Sequence, residues 1–204
     1  MKYTIRFLLF LGLLLLSLTL TSCRGGKNMK YAQIVLTTGE KINLELFEEY
    51  APESVANFKK LANKGYYEGA IFHRVIKDFM IQTGGYTVDE SQYSLLELPE
   101  ADSIKGEFTN NGWQQNTLKH ELGVISMART SDPNSASGQF FLCSATCPWL
   151  DGEYAAFGKT TDEESNKVIL RISEVETYNI GYGFQNFPID IIMIKEVNLS
   201  KEKF

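Results

Sequence analysis

The chain has 204 residues, 44% of them hydrophobic, which is enough core-forming material for one autonomously folding domain. Its 20 Lys and Arg face 25 Asp and Glu, a formal charge of −5. The cations do not cluster, which argues against nucleic acid, whose phosphates are held mainly by basic patches.

The first residues, "MKYTIRFLLFLGLLLLSLTLTSC", set Lys2 and Arg6 ahead of an apolar run from Phe7 to Leu20. That is a charged n-region and an h-region too short for a comfortable span, so it reads as an export signal rather than a transmembrane helix. Its end, "LTSC" at residues 20–23, resembles the bacterial lipobox, in which the signal is cut before the Cys and that Cys is acylated on its thiol. An ordinary secretory signal or an uncleaved anchor is the alternative. The expected organisation is a lipoprotein signal at 1–22, a lipidated tether at 23–30 and one folded domain at 31–204. Several acyl chains on Cys23 would hold the protein firmly. Its location would be extracytoplasmic, anchored to a bacterial membrane and facing the periplasm or the cell surface. Cleavage would leave 182 residues carrying 18 Lys and Arg against 25 Asp and Glu, a net charge of −7.

Beyond the tether, "YAQIVLTTGEKINLELF" alternates apolar and polar residues around "TTGE" and predicts a hairpin with Gly39 in the turn. In "APESVANFKKLANKGYY", Pro52 stands at a first helical position, Val55, Phe58, Leu61 and Ala62 repeat at helical spacing, and Gly65 ends the run. An amphipathic helix follows from this. "IFHRVIKDFMIQTGG", "GVISMAR", "GQFFLCSA" and "YAAFGKTT" are short runs rich in Ile, Val and Phe, which predict an antiparallel sandwich or barrel. Residues 86–119 are polar and irregular and predict a long surface excursion. "EESNKVILRISEVET" is a second helix candidate, and "PIDIIMIKEVNLS" closes the chain as a strand.

Three features carry chemistry. Arg74 shares a strand face with Phe72 and Ile76, so it pairs with a surface carboxylate, snorkels to water or works at a pocket mouth. His73 and His120 lack partners at ligand spacing and read as structural; the acidic residues of 86–119 lack the spacing of a calcium loop, and no metal site is expected. Cys143 and Cys147 lack redox-motif spacing; two buried thiols are preferred over a disulfide.

The ordered blocks "APESVANFKKLANKGYYEGAIFHRVIKDFMIQTGG", "GVISMARTSDPNSASGQFF" and "WLDGEYAAFGKTT" resemble the cyclophilin-type peptidyl-prolyl cis-trans isomerases, especially the bacterial ones. The resemblance implies a mainly β fold: a closed eight-stranded antiparallel barrel capped by two α-helices, with a substrate groove on an outer face. It implies that Arg74, Phe79 and Gln82 are catalytic. Met80, Ala128, the backbone at Arg129, Gln139, Phe141, Trp149, Leu150 and Tyr154 would bind substrate. No cofactor is implied, since proline isomerisation breaks no bond. The partners would be proline-containing polypeptides, and the protein would be a monomer. Tyr154 stands where the family usually has His, "TGGY" stands where it commonly has GGD, and 86–119 replaces a Gly-rich loop bordering the groove. Two functions follow: an isomerase acting on X-Pro bonds of exported proteins and assisting their folding, or a non-catalytic module that binds proline peptides or a partner. Arg74, Phe79, Met80, Gln82 and Phe141 favour the first, and the remodelled loop favours the second.

Overall fold

The computed structural model describes residues 29–89, 91, 94–181 and 183–204. The signal segment, Cys23 and most of the tether expected from the sequence lie outside the described residues.

The opening hairpin forms as its alternation predicts. Tyr31–Leu36 (β1) pairs antiparallel with Lys41–Leu46 (β2), Ile34 faces Ile42, and Gly39 takes φ +88° in the turn. That conformation suits glycine because it has no Cβ to clash. Helix α1 (Pro52–Asn63) buries Val55, Phe58, Leu61 and Ala62 against the sheet. Its start has no side-chain cap at Ala51. Instead the carboxylate of Glu107 accepts hydrogen bonds from the N–H groups of Glu53 and Ser54, at 2.8 Å each, and from the Ser54 hydroxyl at 2.7 Å. A buried anion is thus held where a helix leaves N–H groups unpaired and its dipole is positive.

The remaining strands are β3 (Arg74–Ile76), β4 (Met80–Thr83), β5 (Tyr86–Asp89), β6 (Ser94–Glu97), β7 (Val124–Met127), β8 (Phe140–Cys143), β9 (Ala156–Thr160), β10 (Thr177–Tyr178), β11 (Phe187–Pro188) and β12 (Ile194–Ser200). Helix α2 (Glu163–Ser173) starts at Asp162, which accepts from the Ser165 N–H at 2.8 Å, and buries Ile169 and Ile172. Eight strands form one antiparallel sheet in the order β12-β1-β2-β9-β7-β8-β4-β3.

The expected closed barrel needs one correction. The sheet curls, but β12 and β3 do not pair along a ladder. The seam is drawn together by a single bridge between Ile71 and Met193, with Phe72 N–H donating to Ile192 O at 2.9 Å and Ile194 N–H to Ala70 O at 2.8 Å. β3 is three residues long, too short to offer β12 a full ladder.

Alternation along each strand then sorts the side chains. Phe140 and Leu142 point into the main core, while Phe141 and Cys143 join a smaller outer cluster with Met80, Val124, Cys147, Leu150 and Ala156. The candidate site lies on this outer face.

The described residues of 86–119 are more ordered than their polarity predicts. β5 and β6 form a separate two-stranded ladder, as do β10 and β11. Phe108 joins the main core; Asn116, also buried, donates to Glu107 O at 2.8 Å and Ala156 O at 3.0 Å; and Trp113 Nε1 donates to Tyr50 O at 2.8 Å. Two of the polar residues that make this stretch look like solvent-exposed loop, Glu107 and Asn116, are buried and used as internal hydrogen-bonding partners.

Candidate active site

Cross-strand register builds the site. Arg74 on β3 lies directly opposite Gln82 on β4, Gln82 opposite Phe141 on β8, and Phe141 opposite Ser126 on β7. Residues directly opposite share a face, so these side chains stand in one outward row. Arg74 is half-buried, and its Nη1 donates to Gln82 Oε1 at 3.2 Å and lies 3.8 Å from Met80 Sδ. Gln82 Nε2 in turn donates to Gln139 Oε1 at 2.9 Å. Burial lowers the Arg74 pKa, with Tyr154 acting in the opposite sense, but a guanidinium stays charged at any physiological pH. Among the described residues no ion pair includes Arg74, so the surface-carboxylate reading fails.

Beside the guanidinium is a cavity of about 100 Å³, with room for one small ring rather than a drug-sized ligand. Met80, Phe141 and Leu150 are its buried floor, and Phe79, Ala128, Arg129 and Tyr154 complete the wall around Arg74 and Gln82. Two expected site residues lie next to it rather than in it. Trp149 is 60% exposed and packs its ring 5.7 Å from that of Phe79. Gln139 lines an adjoining pocket with His73, Arg74, Gln82 and Tyr86.

A family model for the cyclophilin type peptidyl-prolyl cis-trans isomerase/CLD domain matches residues 31–199. The chain belongs to this family of isomerases. It is 38% identical over 174 residues to peptidyl-prolyl cis-trans isomerase A of Dickeya dadantii (strain 3937), covering 83% of this chain and 84% of that one. It is 36% identical over 169 residues to a peptidyl-prolyl cis-trans isomerase of Acinetobacter baylyi, covering 78% and 83%. Among solved structures it is similar to a Cryptosporidium parvum cyclophilin type peptidyl-prolyl cis-trans isomerase determined in the presence of the dipeptide Ala-Pro. That likeness has a TM-score of 0.63 at 28% identity and covers 83% of this chain and 98% of that one.

Several features of this cyclophilin were not legible in its motifs. The side chain of Arg129, expected to matter only through its backbone, donates from Nε and Nη2 to Glu153 O at 3.1 and 3.0 Å. Its guanidinium carbon lies 4.6 Å from the ring centre of Tyr154 and 5.2 Å from that of Phe108. Tyr154, so clamped, meets Phe141 edge-on at 5.7 Å. The aromatic that replaces the family's usual His is therefore a fixed wall of the cavity.

Behind Phe141 runs a polar chain. His120 Nδ1 is 3.1 Å from Asp151 Oδ1, its backbone N–H donates to the same oxygen at 2.9 Å, and its Nε2 is 3.0 Å from Ser126 Oγ. The residue types match a nucleophile triad, but Ser126 is fully buried, so no substrate carbonyl can reach it. The imidazole instead stacks on Phe141 at 6.1 Å and braces it. Burial lowers the His120 pKa against the raising influence of Asp151, which keeps the ring neutral near pH 7. His73 is also buried, edge-on to Tyr86 at 4.8 Å, and burial lowers its pKa to about 4. Cys143 and Cys147 are free and buried, and burial raises both thiol pKa values.

Proposed function

We propose that isomerisation takes place at the cavity beside Arg74, with the prolyl ring seated on Met80, Phe141 and Leu150 and the twisting amide facing the guanidinium. The barrier to overcome is ~20 kcal/mol, set by amide resonance, and the uncatalysed step takes tens of seconds or longer. No nucleophile is needed. The prolyl nitrogen regains its lone pair only as the bond rotates, so a donor aimed at it binds the twisted form better than either planar one. Each ~1.4 kcal/mol of that selectivity is a tenfold gain in rate.

The single observation that carries this reading is the Arg74–Gln82 hydrogen bond at 3.2 Å beside an apolar cavity, a cation held in orientation without a neutralising carboxylate. Phe79 closes the pocket, Gln82 orients Arg74, Gln139 holds Gln82, and Ala128 and the main chain at Arg129 line the path of the peptide. Trp149 flanks that path from its exposed position against Phe79. The Ala-Pro dipeptide present with the Cryptosporidium parvum structure supports an X-Pro unit as the smallest ligand. An exchange or protease-coupled assay on an X-Pro peptide, with wild type against Arg74→Ala, tests this; equal rates for the two proteins would sink it.

The substrates are proposed to be exported polypeptides whose folding the enzyme assists, with the protein acting as a monomer on the outer side of a bacterial membrane. Support comes from the charged and apolar leader and from "LTSC", in which Cys23 is the lipid-bearing residue and 23–30 its tether. Cys23→Ser is expected to move the protein from the membrane to the soluble fraction, and an unchanged partition on fractionation would remove the anchor.

A further inference from the structure

Two hairpins outside the barrel, β5–β6 and β10–β11, flank the strand that carries Arg74. Isolated two-stranded ladders are marginal in water, and both are docked by main-chain bonds. Ile71 N–H donates to Tyr86 O at 2.9 Å and Val75 N–H to Asn186 O at 2.9 Å, one on either side of Arg74. Between the hairpins opens a groove of about 700 Å³, lined mostly by apolar side chains, among them Val88, Leu95, Tyr178, Phe187, Ile189 and Ile191. Tyr178, Ile189 and Ile191 are 47%, 50% and 44% exposed. Apolar side chains gathered in one open groove mark a place where something binds.

The groove adjoins the site through two pairs of neighbouring residues, Tyr86 with Val88 and Phe184 with Phe187. Arg74 and Gln82 line both the small cavity and an adjoining pocket of about 270 Å³ whose far side is Tyr86 and Phe184. Tyr86 and Val88 share a face of β5, and Val88 belongs to the groove. Ring contacts mark the path: His73 to Tyr86 at 4.8 Å, Tyr86 to Phe184 at 4.9 Å, and Phe184 to Phe187, a groove residue, at 6.4 Å. About five extended residues span those steps.

We propose that this groove binds an extended apolar segment of the same polypeptide whose proline sits beside Arg74, so that the enzyme selects unfolded chains carrying a hydrophobic stretch about five residues from the proline. This rests on the isomerase site proposed above. The occupant is the substrate itself, because Tyr86 and Phe184 beside the guanidinium adjoin Val88 and Phe187 of the groove, and the stretches that build it cap the edge of the site's own strand.

The test uses a tetrapeptide and two kinds of long peptide, all sharing one X-Pro unit; the long ones carry Leu-Phe or Ser-Ser about five residues from the proline, each kind made once with the pair before it and once with the pair after it. The wild type is expected to turn over a Leu-Phe peptide with kcat/KM on the order of tenfold above its Ser-Ser counterpart. The double variant Tyr178→Ser with Ile189→Glu is expected to lose that preference, and its anisotropy-measured binding of the Leu-Phe peptide, while keeping the wild-type rate on the tetrapeptide. Equal turnover of both long peptides by the wild type, or a preference that survives the double substitution, overturns the groove and leaves the isomerase site standing. No turnover of even the tetrapeptide overturns the site and the groove with it. A dimer seen by light scattering and dissolved by the double substitution, with no peptide preference, would assign the groove to a second copy instead.

Discussion

Phe140 and Phe141 are neighbours on β8, yet they belong to different parts of the molecule. Phe140 points inward, fully buried, and meets Phe58 at 5.5 Å and Tyr67 at 5.3 Å, edge-on to both. Phe141 points outward onto the cavity floor, between the His120 ring and the edge of Tyr154. One strand thus serves stability with alternate residues and the site with the others. The inner face is mostly apolar, its Thr83 opposite Phe140 donating to Ile71 O, and its cost of error is a cavity. The outer face mixes rings with Arg74, Gln82, His120 and Ser126, and its cost of error is misorientation.

Substitutions can separate the two faces. The largest effect is expected from Phe140→Ala, with a loss of about 4 kcal/mol of stability. Thermal melting should show it, with little change in kcat/KM for the protein that remains folded. Arg74→Ala should invert that pattern, lowering kcat/KM about a hundredfold, the size found when a single oriented donor to a transition state is removed, with little change in the melting midpoint. His73 offers a titration on the outer side. Its folded pKa, about 4, lies below the ordinary 6.5, so the unfolded chain takes up a proton that the folded chain refuses. Its contribution is fully present above pH 6.5 and is lost as pH falls from 6.5 towards 4, by about 3 kcal/mol at the lower end. Melting curves of His73→Gln should be flatter than wild type across that window, and parallel curves would disprove the linkage. The smallest effect belongs to Ser126→Ala, which leaves His120 Nε2 without its partner at about 1 kcal/mol. If the chain from Asp151 serves only to hold Phe141, KM for an X-Pro peptide should rise more than kcat falls, and Ser126→Thr should restore part of the loss.

Much of the fold was legible locally. The β1–β2 hairpin could be read from alternation around Gly39 and α1 from Pro52 and the spacing of Val55, Phe58 and Leu61, and α2 lies within the segment that stood as the second helix candidate. The ordered motifs pointed to Arg74, Met80, Gln82 and Phe141, and the register brings them side by side. What stayed hidden has one physical character. Glu107 caps a helix that begins 55 positions earlier in the chain, and neither end of that contact carries a local signal. Residues 86–119 looked like loop because their polar groups, read alone, predict solvent, whereas Asn116 and Trp113 donate to the main-chain carbonyls of Ala156 and Tyr50, both in other segments. Arg129 gave no hint that it would clamp Tyr154, since that contact is a meeting of two loops.

The sequence by itself determined which segments pair and coil, because hydrophobic period, turn glycines and proline positions act within a few residues. It also determined the residue types that the chemistry needs, a guanidinium beside apolar rings. Tertiary structure alone decided that Arg74 stands without a carboxylate and against Gln82, that the barrel seam closes through Ile71 and Met193 rather than a ladder, and that two small hairpins meet beside the site to form an apolar groove. Those outcomes depend on contacts between residues far apart in the chain, whose free energy exists only once the sheet has curled and brought its faces together.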